Sequence, residues 1–197
     1  MSTETPTTEN NENAPQNSPQ NAAPALEAAI REKLTGEAQK NALNFVAHAL
    51  TSGLTLDARY ASNSAYLFNY FEESVFLLGI TPFWNVAAWN VYLGIEDHVV
   101  SNGDYDGFPV DEALREFARA NAKTCEVALG GSCGCGKQPG RCVSVFGKKI
   151  ENNCASHVLW FVEPGAETLE NIYKLAEVWK SCLADAKGKK GDAKACR

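Results

Sequence analysis

Five of the seven cysteines of this chain fall between Cys125 and Cys154, at Cys125, Cys133, Cys135, Cys142 and Cys154, with His157 close behind. The centre of the stretch reads Gly131-Ser-Cys133-Gly-Cys135-Gly-Lys-Gln-Pro-Gly-Arg-Cys142. Thiols this dense on a glycine-rich loop hold a metal, form disulfides or carry out redox chemistry. Whichever of these applies, it ties together chain segments that a hydrophobic core alone would leave loose.

A structural zinc site needs four soft or borderline ligands arranged as a tetrahedron. Cys133 and Cys135 supply two, because the glycines around them let both sulfurs face one point. Cys142 is the third, beyond a turn favoured by Pro139-Gly140. Cys154 is the fourth, with His157 as its substitute at Cys-x-x-His spacing. No Cys-x-x-Cys knuckle of the usual zinc type occurs.

Two other readings compete for the same residues. Disulfides are one: a turn at Gly147-Lys-Lys149 would set Cys142 opposite Cys154, whereas a turn at Glu151-Asn-Asn153 would separate them. Thiol catalysis is the other, with Lys137 and Arg141 stabilising a thiolate in the Cys133/Cys135 dithiol. The spacing matches neither common ferredoxin pattern.

A second motif, Asn102-Gly-Asp104-Tyr-Asp106-Gly107, places oxygens at alternate positions before a glycine, as a calcium loop does. Its twelfth position is Ala113 where a glutamate is required, so Asp111 or Glu112 would have to close the site. The competing reading is a turn followed by a helix capped by Asp111. His48, among Phe45, Val46, Ala49 and Leu50, reads as a core-edge histidine. No serine-hydrolase elbow, zinc-protease, phosphate-loop or dinucleotide motif occurs, so the leading expectation is a non-enzymatic protein.

Composition narrows the setting. The formal net charge of -6 disfavours nucleic acid and anionic membranes as partners, leaving protein as the expected one. With no secretory start and no long apolar run, the sequence fits a reducing cytoplasm, where clustered thiols serve metals more often than disulfides.

Residues 1–24 are polar and lack lysine, arginine and aromatic residues, which predicts a disordered tail. Residues 186–197 read as a basic flexible tail. Between them, residues 25–185 are expected to form one α+β domain. It has a mainly helical N-terminal part, a small antiparallel sheet of about three strands, and a C-terminal helix packed on that sheet.

The expected helices start from Leu26, Ile30 and Leu34, and from Leu43, Val46 and Leu50. Residues 64–80 lean towards a helix through Leu67, Phe71, Val75 and Leu78, with a hairpin turning at Glu72-Glu-Ser74 as the alternative. A further helix is read from Pro82 along Trp84, Ala87, Ala88, Val91, Tyr92, Ile95 and Val99. Trp89 lies off that stripe, as an interface residue would. Then come a helix over 110–122, strands over 124–129, 141–146 and 155–162, and a final helix to about Ala184 carrying Leu169, Ile172, Ala176, Trp179 and Leu183 inward.

Overall fold

The computed structural model describes residues 19–57, 65–71, 73–80, 89–94, 110–125, 141–153 and 158–188. Two helices open the chain, α1 (Pro19–Lys33) and α2 (Gly36–Thr51). Strands β1 (Thr55–Asp57), β2 (Ala65–Tyr70), β3 (Glu73–Gly79) and β4 (Asn90–Leu93) follow. Then come α3 (Glu112–Ala120), β5 (Arg141–Val145), β6 (Lys148–Asn153), β7 (Leu159–Val162) and α4 (Ala166–Gly188). The α+β class therefore holds, with a larger sheet than expected: five antiparallel strands ordered β1-β2-β3-β4-β7, plus the β5-β6 hairpin.

The register places Leu56, Phe68, Phe76, Leu93 and Leu159 in one row across the large sheet. Tyr66, Leu78, Val91 and Phe161 form the next row on the same face. All nine are buried. Helices cover this face. Phe45 of α2 is fully buried, with its ring edge-on to Phe68 at 5.6 Å and to Phe76 at 5.0 Å. Phe117 of α3 stacks on Phe161 at 5.4 Å. Helix α4 buries Leu169, Ile172, Leu175, Ala176, Trp179 and Leu183, a one-sided stripe at helical spacing.

Two expected helices are strands instead. Residues 65–79 take the hairpin alternative, as β2 and β3, in which Tyr70 pairs with Glu73, so the connection begins at Phe71, ahead of the anticipated Glu72-Glu-Ser74 turn. Residues 90–93 form β4, between β3 and β7. The reason is the same in both cases. Central strands with both faces buried read as continuous apolar runs, and the alternation that marks a half-buried strand is lost. Trp89, expected at an interface, is 1% exposed and belongs to the core. The remainder of that expected helix, including Trp84, lies outside the described residues.

At the N-terminus, α1 begins at Pro19, inside the segment expected to be a tail, and Ala22 is buried. Proline opens a helix without forfeiting a hydrogen bond, and the alanines after it pack closely. At the other end α4 runs on to Gly188, past the start of the expected basic tail.

Strand β6, which no expectation included, completes a hairpin with β5 through Phe146 and Gly147, both at positive φ. Such a two-residue loop needs left-handed backbone at both positions, which Gly147 adopts freely and Phe146 adopts at a cost. Phe146 is held there from α3. The Arg119 guanidinium donates to the carbonyl oxygens of Val145 and Phe146, and Arg115 lies over the Phe146 ring at 5.9 Å.

Helices α2 and α4 meet where His48 stacks face to face on Tyr173, 3.6 Å between ring centres. Burial pushes the Tyr173 hydroxyl up to about 12. Burial also lowers the His48 pKa, with Lys180 adding to that effect and Glu177 opposing it. Because folding lowers this pKa, the unfolded chain binds the proton more readily just below the ordinary value of 6.5. Stability therefore rises with pH through that window and falls as pH drops through it.

Urea unfolding at a series of pH values should show this slope, and His48→Gln should flatten it; an unchanged slope would contradict the assignment. Truncating Phe45 to alanine should cost about 3–5 kcal/mol by the same measurement, because its ring fills the helix-sheet contact.

Candidate functional site

The short stretch 121–125 ties the two sheets together. On one side Ala122 bridges Leu159 of β7, the Trp160 N–H donates to the Asn121 carbonyl at 2.9 Å, and the Lys123 N–H donates to the Val158 carbonyl at 2.9 Å. On the other side Thr124 bridges Asn153 of β6, and the Cys125 N–H donates to the Asn152 carbonyl at 2.6 Å. This stretch is thus a seam between β7 and β6.

Asn153 fastens the seam. It is 0% exposed, and its side-chain amide donates to the Lys123 carbonyl at 3.1 Å and to the Val158 carbonyl at 3.0 Å. Its backbone is paired with Arg141 on the opposite side of β6.

This arrangement gathers the ends of both cysteine-bearing segments. Residues 126–140, which carry Cys133 and Cys135, depart after Cys125 and return at Arg141. Residues 154–157, which carry Cys154 and His157, depart after Asn153 and return at Val158. Cys125 and Arg141 flank β6 on either side at Asn152 and Asn153, and Val158 is held to the Asn153 amide. With neighbouring strands about 4.8 Å apart, Cys125 and Arg141 sit roughly 10 Å apart across β6, and Val158 lies one strand further on.

Of the residues expected to bind metal, Cys142 lies within the described part, as does Cys125. Neither is in a disulfide. Cys133, Cys135, Cys154 and His157 lie outside the described residues, as do Asn102, Asp104 and Asp106. Among the described residues no group of three potential metal ligands occurs.

Cys142 is exposed and sits opposite a bulge in β6, where Glu151 and Asn152 together face one residue of β5. Asn152 has a φ of 56°, a left-handed conformation that asparagine tolerates better than most residues. Neither register considered from the sequence is present: Asn153, and not Cys154, pairs across from the start of β5, and Cys142 faces the bulge. Cys125 is buried on the far side of β6, so its α-carbon lies about 10 Å from that of Cys142. Disulfides span less than about 7 Å between α-carbons, which rules out a bridge between these two.

Glu112, one of the two residues expected to close a calcium loop, has its carboxylate 2.8 Å from Arg119. A calcium ligand there would have to give up that contact. Asp111 caps α3 by accepting the Leu114 N–H at 2.8 Å, which is the competing capped-turn reading.

Three buried polar atoms among the described residues have no hydrogen-bond partner: Asn90 Oδ1, Asn153 Oδ1 and Trp160 Nε1. Asn90 Oδ1 lies so close over Gly79 that a β-carbon there would approach it to 2.8 Å. Trp160 lies under the Lys123 ammonium, 4.1 Å from the ring centre, and stacks on Tyr92 at 5.9 Å. Asn153 Oδ1 is the one located where the cysteine-bearing segments leave the sheet. Nothing in the sequence singled out Asn153, since an Asn-Asn pair reads as a turn.

Compared with known proteins, the chain matches no family model, no curated protein and no solved structure.

Replacing Asn153 with alanine should lower stability by about 1–3 kcal/mol, because the Lys123 carbonyl loses its donor inside the seam. Thermal melting of the apo protein checks this; an unchanged midpoint would show that the amide does not fasten the seam.

Proposed function

We propose that residues 126–142 and 154–157 form a structural zinc site, and that the metal fixes these segments as a recognition surface for a protein partner. The ligands are Cys133, Cys135 and Cys142, completed by Cys154 or His157. The observation that supports this reading is the seam: the four ends of the cysteine-bearing segments are gathered around Asn152 and Asn153, and Cys142 is exposed beside them.

Zinc fits this donor set. Thiolate sulfur and imidazole nitrogen are its usual structural ligands, and four of them close the tetrahedron without leaving a position for catalysis. A site of this kind adds its binding free energy to the stability of the fold around it.

Native mass spectrometry of protein purified without added zinc should find about one equivalent bound, released by a strong chelator together with a fall in melting temperature. Less than about half an equivalent would contradict the proposal. A metal-free mass lighter by the hydrogens lost on oxidation would replace it with disulfides.

A further inference from the structure

We propose that the corner between α2 and α4 is an acid-operated latch: uptake of a proton by His48 parts the last turn of α2 from α4 while the sheet stays folded.

The corner is a closed ring of contacts. The His48 ring stacks on Tyr173 of α4, with 3.6 Å between centres and 15° between planes. One turn further along α4 comes Glu177, whose carboxylate oxygens accept from the Lys180 ammonium at 2.9 and 3.1 Å. Lys180 also reaches across to α2, donating to the Ser52 carbonyl at 2.7 Å. The Ser52 N–H in turn donates to the His48 carbonyl at 2.9 Å, which closes the ring. The same ammonium lies over the Tyr70 ring of β2 at 5.4 Å, so it joins three elements.

The charge in this ring balances while His48 is neutral. Its charged members are one carboxylate, Glu177, and one ammonium, Lys180. The Ser52 carbonyl and the two Glu177 oxygens take up all three N–H groups of that ammonium. The Lys180 side chain is 12% exposed, which leaves little of it to water. A proton on His48 therefore adds a second cation where the carboxylate is already engaged.

The charged groups that bear on the imidazole are Glu177 and Lys180, both on α4. The Tyr173 hydroxyl, pushed up to about 12, stays neutral. Within one turn of His48 on α2 itself stand Asn44, Phe45, Thr51 and Ser52, none of which titrates. Glu177 favours a charged imidazole, and so does the carbonyl end of α2. Burial, helped by Lys180, outweighs them and holds the His48 pKa down.

An open corner returns His48 to water, where its ordinary value of 6.5 applies. The closed form therefore loses ground as pH falls from 6.5 to the lowered value, and no further below it. Phe45, edge-on to Phe68 and Phe76, anchors α2 one turn earlier, so the turn beyond it is the part that can move.

Hydrogen exchange of the full-length protein, read amide by amide in urea below the unfolding transition, tests the latch. The Ser52, Gly53 and Leu54 amides are the reporters, because each closes a hydrogen bond in the corner. Leu78 and Val91, paired in the central strands, report global unfolding. Corner protection, corrected for intrinsic rates, should be weaker than that of the sheet and insensitive to urea. It should fall below pH 6.5 by up to about 10-fold per pH unit and then level off. In His48→Gln it should stay constant over the same range.

Corner protection that ignores pH, or that falls as steeply in His48→Gln, would overturn the latch. So would corner amides that exchange only together with the sheet. Lys180→Met should cost the corner about 10-fold in protection at neutral pH, because the Ser52 carbonyl loses a charged donor; unchanged protection would count equally against the proposal. Should His48→Gln not fold, the His48 ring protons supply the decisive titration. Lys180→Met should raise the His48 pKa and Glu177→Gln should lower it, since each removes the neighbour acting the other way. A His48 pKa that moves in neither variant would place both groups outside the ring and end the proposal.

Discussion

The Asn153 amide is the fastening on which the second half of the fold depends. Among the described residues, strands β5 and β6 make no pairing with the large sheet directly. They reach it through residues 121–125, which bridge β7 on one side and β6 on the other. The amide crosses that junction, joining β6 to the Lys123 and Val158 carbonyls. Buried inside the protein, two such bonds are worth more for what their loss would expose than for their own net free energy. From the opposite end, Arg115 and Arg119 of α3 hold the hairpin turn at Phe146. The hairpin is thus fixed at both ends, and the exposed Cys142 lies between them.

The first half of the fold is governed by aromatic packing. Phe45 of α2 meets Phe68 and Phe76 across the sheet face, and Tyr173 of α4 stacks beside it at 6.4 Å. This cluster joins two helices and two central strands into one core. It lies towards the β1 side of the sheet, while the cysteine-bearing segments leave from beyond β7 at the other side. The intervening strands are paired side by side in one antiparallel sheet, with a register shift at Phe68/Asn69 between β2 and β3.

What could be read directly from the chain follows a physical pattern. Helices α2, α3 and α4 were legible because each buries one stripe, and Asp111 caps α3 as its sequence position implies. Strands β2 and β3 were legible only as the hairpin alternative to a helix, and β4 read as helix, because Tyr66, Leu67 and Phe68 are all buried and show no alternation. Strand β6 was hidden for the opposite reason: Lys148-Lys-Ile-Glu-Asn-Asn153 has weak strand preference and is held by pairing on both sides. The cysteines announced the candidate site. Its anchor did not announce itself, since the value of Asn153 comes from partners 30 residues back and 5 residues ahead.

The proposed zinc site requires that thiols from separate segments meet at a single point beside the seam. X-ray absorption at the zinc edge of the natively purified protein reads this directly. A shell of four sulfurs near 2.3 Å, or of three sulfurs and one nitrogen near 2.0 Å, is the predicted result. A shell made only of oxygen and nitrogen, or a protein that retains no zinc, would contradict it.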